Sequence, residues 1–114
     1  MAQHDAALDS TFHALADPTR RAVVRRLGRG PASVSELAAP FNMALPSFMK
    51  HIRALESSGL IATRKIGRVR TCALDRRRFA EVESWLVEQR VQWEERTDRL
   101  EEFVTSTHGA GDPS

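Results

Sequence analysis

The chain has 114 residues, of which 41% are hydrophobic and 28% charged, a composition typical of one globular domain. No apolar run approaches the roughly 20 residues of a membrane helix, and residues 1–10 lack the basic-then-apolar pattern of a secretory signal. The single cysteine, Cys72, excludes an internal disulfide. We therefore expect a cytoplasmic protein that does not associate with membranes.

The net charge of +2 is divided unevenly along the chain. Residues 44–78 carry nine Lys and Arg against two acids, a net of +7, whereas residues 79–104 carry three Arg against eight acids, a net of −5. A basic middle followed by an acidic end favours one surface that binds a polyanion. An ordinary solvated surface explains this uneven distribution of charge equally well when the distribution is considered alone.

The first three predicted helices are short. Apolar residues at i, i+4 and i+7 indicate the first helix, and they are Leu8, Phe12 and Leu15. Asp17 and Pro18 are typical of a helix start, so a second helix follows over about residues 19–27. Ser33 and Glu36 have the spacing of a capping box, which predicts the start of a third helix.

A fourth helix is predicted to start at Leu45 and to end before Gly59, a residue suited to a left-handed helix end. Its core face repeats apolar residues at i, i+4 and i+7, namely Phe48, Ile52 and Leu55. The opposite face points to solvent, and most of its residues can donate hydrogen bonds to base edges or phosphates. That face comprises Pro46, Ser47, Lys50, His51 and Arg53.

Two β-prone runs, residues 60–66 and 69–74, flank Gly67 and predict a β-hairpin. Four cations surround its tip and suit contacts with phosphates or a minor groove. They are Arg64, Lys65, Arg68 and Arg70.

From Arg76 the pattern is helical again, over roughly 25–30 residues. The apolar side chains of this last helix are spaced mainly by seven, and they are Phe79, Val82, Leu86, Trp93 and Leu100. The helix is longer than a small domain needs for its own core, which leaves apolar surface for another contact.

The order of elements predicts a mainly α fold with a small β-hairpin: a winged helix-turn-helix of five helices and a two-stranded wing. We expect a single domain over residues 6–104, with residues 33–74 as its DNA-binding core and flexible tails at 1–5 and 105–114. In this fold the second helix of the pair enters a major groove. The sequence therefore predicts a sequence-specific DNA-binding transcriptional regulator.

Three parts of the sequence resemble the ArsR (arsenical-resistance-repressor-like) family of transcriptional regulators. They are Phe12–Leu27, which contains Asp-Pro-Thr-Arg-Arg, Ser35–Ala38, and His51–Ile61 followed by Arg64–Leu74. The resemblance covers about residues 8–104 and implies a dimeric winged-helix repressor. It implies DNA reading by the exposed face of the fourth helix and a wing at residues 64–70. The first and last helices then form the dimer interface, through Leu8, Phe12, Phe79, Val82, Leu86, Trp93 and Leu100.

The sequence departs from the family at its usual metal sites. Many members sense metals through a Cys-x-Cys pair on the third helix, where this chain has Glu36–Pro40, and others use histidines of the last helix, where residues 76–103 have none. We therefore expect no metal site and no cofactor, as in the metal-independent branch, whose members are often autorepressors. Met49 also stands where many relatives have a small hydroxyl residue.

Two other interpretations stay open. A winged helix also serves as a protein-docking module, although such a surface usually has aromatic anchors rather than unrelieved positive charge. A small ligand is another possibility, but no set of residues identifies one. An enzyme is not expected, because the sequence has no nucleophile–base pair, phosphate loop or apolar carboxylate pair. The expected partners are an inverted-repeat double-stranded DNA at the nucleoid and a second copy of the chain.

Overall fold

A computed structural model describes residues 2–107, and within them the side chains of residues 6–105. The described chain contains five helices and a three-stranded antiparallel sheet, which confirms the predicted mainly α fold and its wing. In chain order the elements are α1 Ala2–Leu15, α2 Pro18–Leu27, β1 Ala32–Ser33, α3 Val34–Ala38, α4 Leu45–Ser57, β2 Ile61–Ile66, β3 Val69–Leu74 and α5 Arg76–Thr107.

The helix starts follow from their capping residues. Oδ2 of Asp17 accepts a hydrogen bond from the Arg20 amide, and Pro18 occupies the first turn of α2, where its missing N–H is not needed. Ser33 and Glu36 form the predicted capping box reciprocally, side chain to backbone in both directions. The short α3 therefore begins at a fixed point.

The hairpin is joined by a two-residue turn. Gly67 has φ +62°, and no residue other than glycine in residues 2–107 has a positive φ. A positive φ at the first turn position followed by a negative one at Arg68 is typical of a type II′ turn, whose twist matches paired strands. The register pairs Ile66 with Val69 next to the turn and Ile61 with Leu74 at the base.

The strand β1 was not predicted. It contains only two residues, which pair with β3 through Ala32 to Cys72 and Ser33 to Thr71, so the wing has a third strand at its base. A two-residue segment has no periodicity by which a sequence could reveal it.

The core lies between the helices and the base of the sheet. It has contributions from α2, α3, α4, β2 and β3, and its most deeply buried large side chains include Phe48, Ile52, Leu55 and Leu60. The rings of Phe41 and Phe48 lie 5.6 Å apart, a separation at which aromatic pairs attract. Cys72 is fully buried in this core.

The inward face of α1 differs from the prediction. Leu8, Thr11 and Ala14 are buried, whereas Phe12 is 36% exposed. Thr11 is tolerated inside because its hydroxyl donates to the carbonyl of Ala7 at 2.9 Å, which removes the cost of burying an unsatisfied polar group. The buried stripe of α1 therefore passes through Thr11, one residue away from the predicted Phe12.

The described residues form two compact units, one up to Ala80 and one from Glu81 onward. The second unit is the continuation of α5, and its exposed large apolar residues are Leu86, Val87, Val91, Trp93, Leu100, Phe103 and Val104. The single domain over residues 6–104 stays a prediction. Helix α1 begins at Ala2 and α5 ends at Thr107, inside the predicted tails, while Met1 and residues 108–114 lie outside the described residues. Within residues 2–107 no helix is apolar enough over a sufficient length to cross a bilayer.

Candidate nucleic-acid interface

Helix α4 carries one buried and one exposed face, as predicted. Phe48, Ile52 and Leu55 are fully buried, and α4 packs against α1, α2 and β2. On the other side Pro46, Ser47, Lys50 and Arg53 are exposed. Ala44 offers no capping side chain, so the first-turn amides of α4 are left to solvent or to an anion. Met49 is half-buried and packs against the core, so it lies between the two faces.

His51 differs from the other predicted positions of α4. Its side chain is only 21% exposed, because it lies against the start of α2. Nε of Arg20 donates a hydrogen bond to Nδ1 of His51 at 3.2 Å, and Oδ2 of Asp17 lies 3.6 Å from the same nitrogen. The prediction of a fully solvent-facing histidine is therefore corrected. In the sequence Asp17 predicts only a helix start, and Arg20 lies 31 residues before His51, so no local pattern indicates their contact.

The same contacts act on Asp17. Burial raises the pKa of its carboxyl group, but the hydrogen bond from the Arg20 amide and the electrostatic effect of His51 and Arg20 outweigh burial. The pKa therefore lies below its ordinary value of 3.8, and Asp17 stays ionised at neutral pH.

The wing presents its four predicted cations to solvent. Arg64, Lys65, Arg68 and Arg70 are all exposed, on both strands and at the turn. Sequence reasoning missed a second property of the tip: Ile66 and Val69, which face each other across the hairpin, are 63% and 52% exposed. Two exposed apolar side chains beside a cluster of cations are typical of a surface that contacts another molecule.

The positive charge of α4 and the wing is not compensated by ion pairs. The two acids of residues 44–78 have other partners, since Glu56 accepts a hydrogen bond from the Thr63 hydroxyl and Asp75 accepts from the amides of Arg77 and Arg78. Among the described side chains of residues 6–105, six cations of α4 and the wing have no hydrogen bond or ion pair, and they are Lys50, Arg53, Arg64, Lys65, Arg68 and Arg70. The face therefore presents six cations that are free for an anion.

The predicted dimer residues fall into two groups. Leu8 and Val82 are buried in the single chain, and Phe79 packs against its core. Phe12, Leu86, Trp93 and Leu100 are exposed, with Trp93 at 65%. Only the second group has much apolar surface left to bury in an interface.

A metal site is not formed by the described side chains. Among residues 6–105 no three His, Cys, Asp or Glu side chains are grouped closely enough to hold an ion. Burial raises the pKa of the Cys72 thiol, with a further contribution from the charge of Glu56, so this thiol is not a ready thiolate ligand.

Two short helices followed by a basic hairpin define the winged helix-turn-helix class, with α3 and α4 as the pair and β2 and β3 as the wing. A family model described as a helix-turn-helix domain matches residues 15–64. A crystal structure of the ArsR family transcriptional regulator RHA00566 is 64% identical, with a TM-score of 0.75, and the match covers 79% of this chain and 93% of that one. The chain belongs to the ArsR family of transcriptional regulators.

Two curated relatives are similar over part of their length. The HTH-type transcriptional regulator Rv2034 of Mycobacterium tuberculosis is 40% identical over 67 residues, which cover 59% of this chain and 63% of Rv2034. The transcriptional repressor SdpR of Bacillus subtilis is 30% identical over 60 residues, which cover 53% of this chain and 67% of SdpR. This chain thus matches less than two-thirds of Rv2034.

Proposed function

We propose that this protein is a sequence-specific DNA-binding repressor that acts in the cytoplasm as a homodimer and has no metal-sensing site. One observation carries the proposal: the exposed cations of α4 and the wing have no acidic partner among the described residues. Leaving six cations unpaired on adjacent elements disfavours the compact chain through repulsion, and a polyanion relieves that repulsion. The name of SdpR as a transcriptional repressor supports the assignment of repression.

The roles of the side chains follow from their positions. Lys50 and Arg53 lie on the exposed face of α4, so in a major groove they reach base edges or phosphates, together with Pro46 and Ser47. The wing cations Arg64, Lys65, Arg68 and Arg70 contact the backbone or the adjacent minor groove. Base contacts provide the specificity, whereas phosphate contacts provide sequence-independent affinity.

The homodimer is proposed from the exposed apolar side chains of α5. Leu86, Trp93 and Leu100 recur every seven residues, a spacing that places them on one face of the helix, and each is at least half exposed. Phe12 of α1 adds a fourth exposed apolar side chain. Dimers of this class bind two half-sites about one DNA turn (~34 Å) apart, which suits an inverted repeat.

Genome-wide mapping of bound DNA in the native host identifies the operator, and fluorescence anisotropy then measures the affinity. We expect Lys50→Ala or Arg53→Ala to cost ~1–3 kcal/mol on the operator and to relax specificity at one base pair. Arg68→Ala weakens all DNA similarly and reduces the salt slope by about one. Arg29→Ala, which removes an exposed cation outside α4 and the wing, is the matched control. Absence of binding to any DNA at low salt contradicts the proposal.

A protein-docking module is the second candidate, and the exposed Ile66 and Val69 at the wing tip favour it. The two candidates differ in their dependence on charge. If the wing docks a protein, Ile66→Ser abolishes the interaction while Arg68→Ala has little effect; if it binds DNA, the order of the two effects is reversed.

The proposed absence of a metal-sensing site is tested by adding zinc or cadmium. We expect the operator affinity to stay unchanged.

A further inference from the structure

Two charged side chains at the start of α2, those of Asp17 and Arg20, contact the imidazole of His51 in α4. Besides its bond to Nδ1 of His51, Arg20 donates from Nη1 to the carbonyl of His13 in α1 at 3.4 Å. Oδ2 of Asp17 accepts from the Arg20 amide at 3.0 Å and lies 3.6 Å from Nδ1 of His51. This cluster therefore connects α1, α2 and the middle of α4.

The cluster fixes the rotation of α4 about its axis, which the apolar core does only weakly. Phe48, Ile52 and Leu55 decide which side of α4 faces inward, but apolar contacts have no preferred direction and resist small rotations of a helix weakly. Hydrogen bonds weaken steeply when they bend, so a bond at the flank of α4 fixes its rotation. A recognition surface works only when its side chains are held within about 0.5 Å and 10–20° of the binding geometry.

The bond from Arg20 also selects the tautomer of His51. Arginine has only donors, so Nδ1 has to accept, and a neutral imidazole then carries its hydrogen on Nε2. A doubly protonated imidazole carries hydrogens on both nitrogens, and the acceptor nearest to Nδ1 is then Oδ2 of Asp17, 3.6 Å away. In both states Nε2, on the far side of the ring, is a hydrogen-bond donor.

We propose that Asp17 and Arg20 are positioning residues for DNA recognition, which hold His51 so that its Nε2–H donates to a backbone phosphate oxygen. The proposal rests on the proposed function. A phosphate fits because its oxygens only accept hydrogen bonds, and a side chain that is 21% exposed contacts the part of DNA that comes closest to the helix. The more exposed Lys50 and Arg53 are left to read the bases.

The tautomer is measured first, on the free full-length protein. Long-range hydrogen–nitrogen correlation spectra, recorded at increasing pH until they show a neutral ring, distinguish the two neutral tautomers. We expect His51 to show the Nε2–H pattern, and Arg20→Ala to convert it to a mixture. Arg25→Ala removes the same charge from an exposed position of α2 and leaves the pattern unchanged. An Nδ1–H pattern in the wild-type protein overturns the proposal.

Operator affinity is measured next, with thermal unfolding as a check on folding. Arg20→Ala lowers the affinity about tenfold, whereas Arg25→Ala changes it less than about twofold. Asp17→Asn keeps an oxygen that caps α2 but removes the charge, so it lowers the affinity by a smaller factor without unfolding the helix.

Two substitutions of His51 distinguish its bond to Arg20 through Nδ1 from its donation to phosphate through Nε2. His51→Asn retains an acceptor near the position of Nδ1 but has no group at Nε2, so it keeps the stability and loses the affinity. His51→Gln reaches the position of Nε2 with an amide donor, so it recovers part of the affinity. Equal affinity of both variants overturns the donation. Unchanged affinity of Arg20→Ala in a protein that binds its operator overturns the positioning, whereas a wild-type protein that binds no DNA refutes the proposed function instead.

Discussion

The replacement of Gly59 by alanine tests the contact between the end of α4 and Arg78 at the start of α5. Gly59 has φ +83°, a conformation that costs a residue with a side chain about 1–2 kcal/mol. The added methyl group also lies 2.7 Å from Nε and 2.9 Å from Nη2 of Arg78, the third residue of α5. Because these atoms are the far end of a flexible arginine side chain, moving them aside costs only about another 1 kcal/mol. We therefore expect the free energy of unfolding to fall by ~2–3 kcal/mol.

Urea unfolding followed by circular dichroism measures this difference. Gly67→Ala is the matched control, because its φ is +62° and nothing lies within 4 Å of the added methyl group, so only the backbone cost of ~1–2 kcal/mol applies. Removing the arginine in the double variant of Gly59→Ala with Arg78→Ala relieves the steric part. Equal losses for the two glycine variants, within ~0.5 kcal/mol, refute the role of Arg78.

Four further outcomes are expected. Phe48→Ala empties a fully buried position and lowers the free energy of unfolding by ~3–5 kcal/mol, while Leu45→Ala, 56% exposed on the same helix, changes it by less than ~0.5 kcal/mol in the same urea assay. Leu86→Glu places a charge on the exposed face of α5 and yields monomers by light scattering; a dimer with native helicity contradicts the proposed interface. Cys72, buried and with a raised pKa, reacts with a thiol reagent more slowly in the native than in the unfolded protein, and equal rates exclude this. The pKa of Asp17 is lower in the native state than its ordinary value of 3.8, so the ionised carboxylate stabilises the fold above pH 3.8. That stabilisation is lost as the pH falls through the lower native pKa. Asp17→Asn therefore loses less stability than wild type between about pH 5 and pH 3 in thermal unfolding, and an unchanged loss counts against this carboxylate.

Most of the fold is predictable from the sequence because its signals are local. The capping box of α3 lies within four consecutive residues, and the core face of α4 follows from one spacing. The turn of the wing needs only one glycine between two β-prone runs. The exposed cations of α4 are predictable for the same reason, since a helix that buries one face must expose the other.

The features that were missed depend on residues distant in the sequence. Strand β1 exists only because Cys72 and Thr71 pair with it from the far side of the helix-turn-helix. His51 is half-buried because Arg20, 31 residues earlier, bonds to its ring. Neither pairing leaves a pattern along the chain, so periodicity and propensity cannot detect it.

Ser33 has a mechanical consequence because it belongs to two elements at once. It is a strand residue paired with Thr71 of the wing and also the capping residue of α3, the first helix of the helix-turn-helix. The base of the wing cannot tilt without pulling on the start of that helix, whereas the tip beyond Arg64 and Arg70 is exposed and belongs to no second element. In the proposed DNA complex, the sheet therefore sets the distance between the groove that α4 enters and the groove that the wing follows. Substitutions at the tip change the affinity of the wing for DNA and leave that distance unchanged.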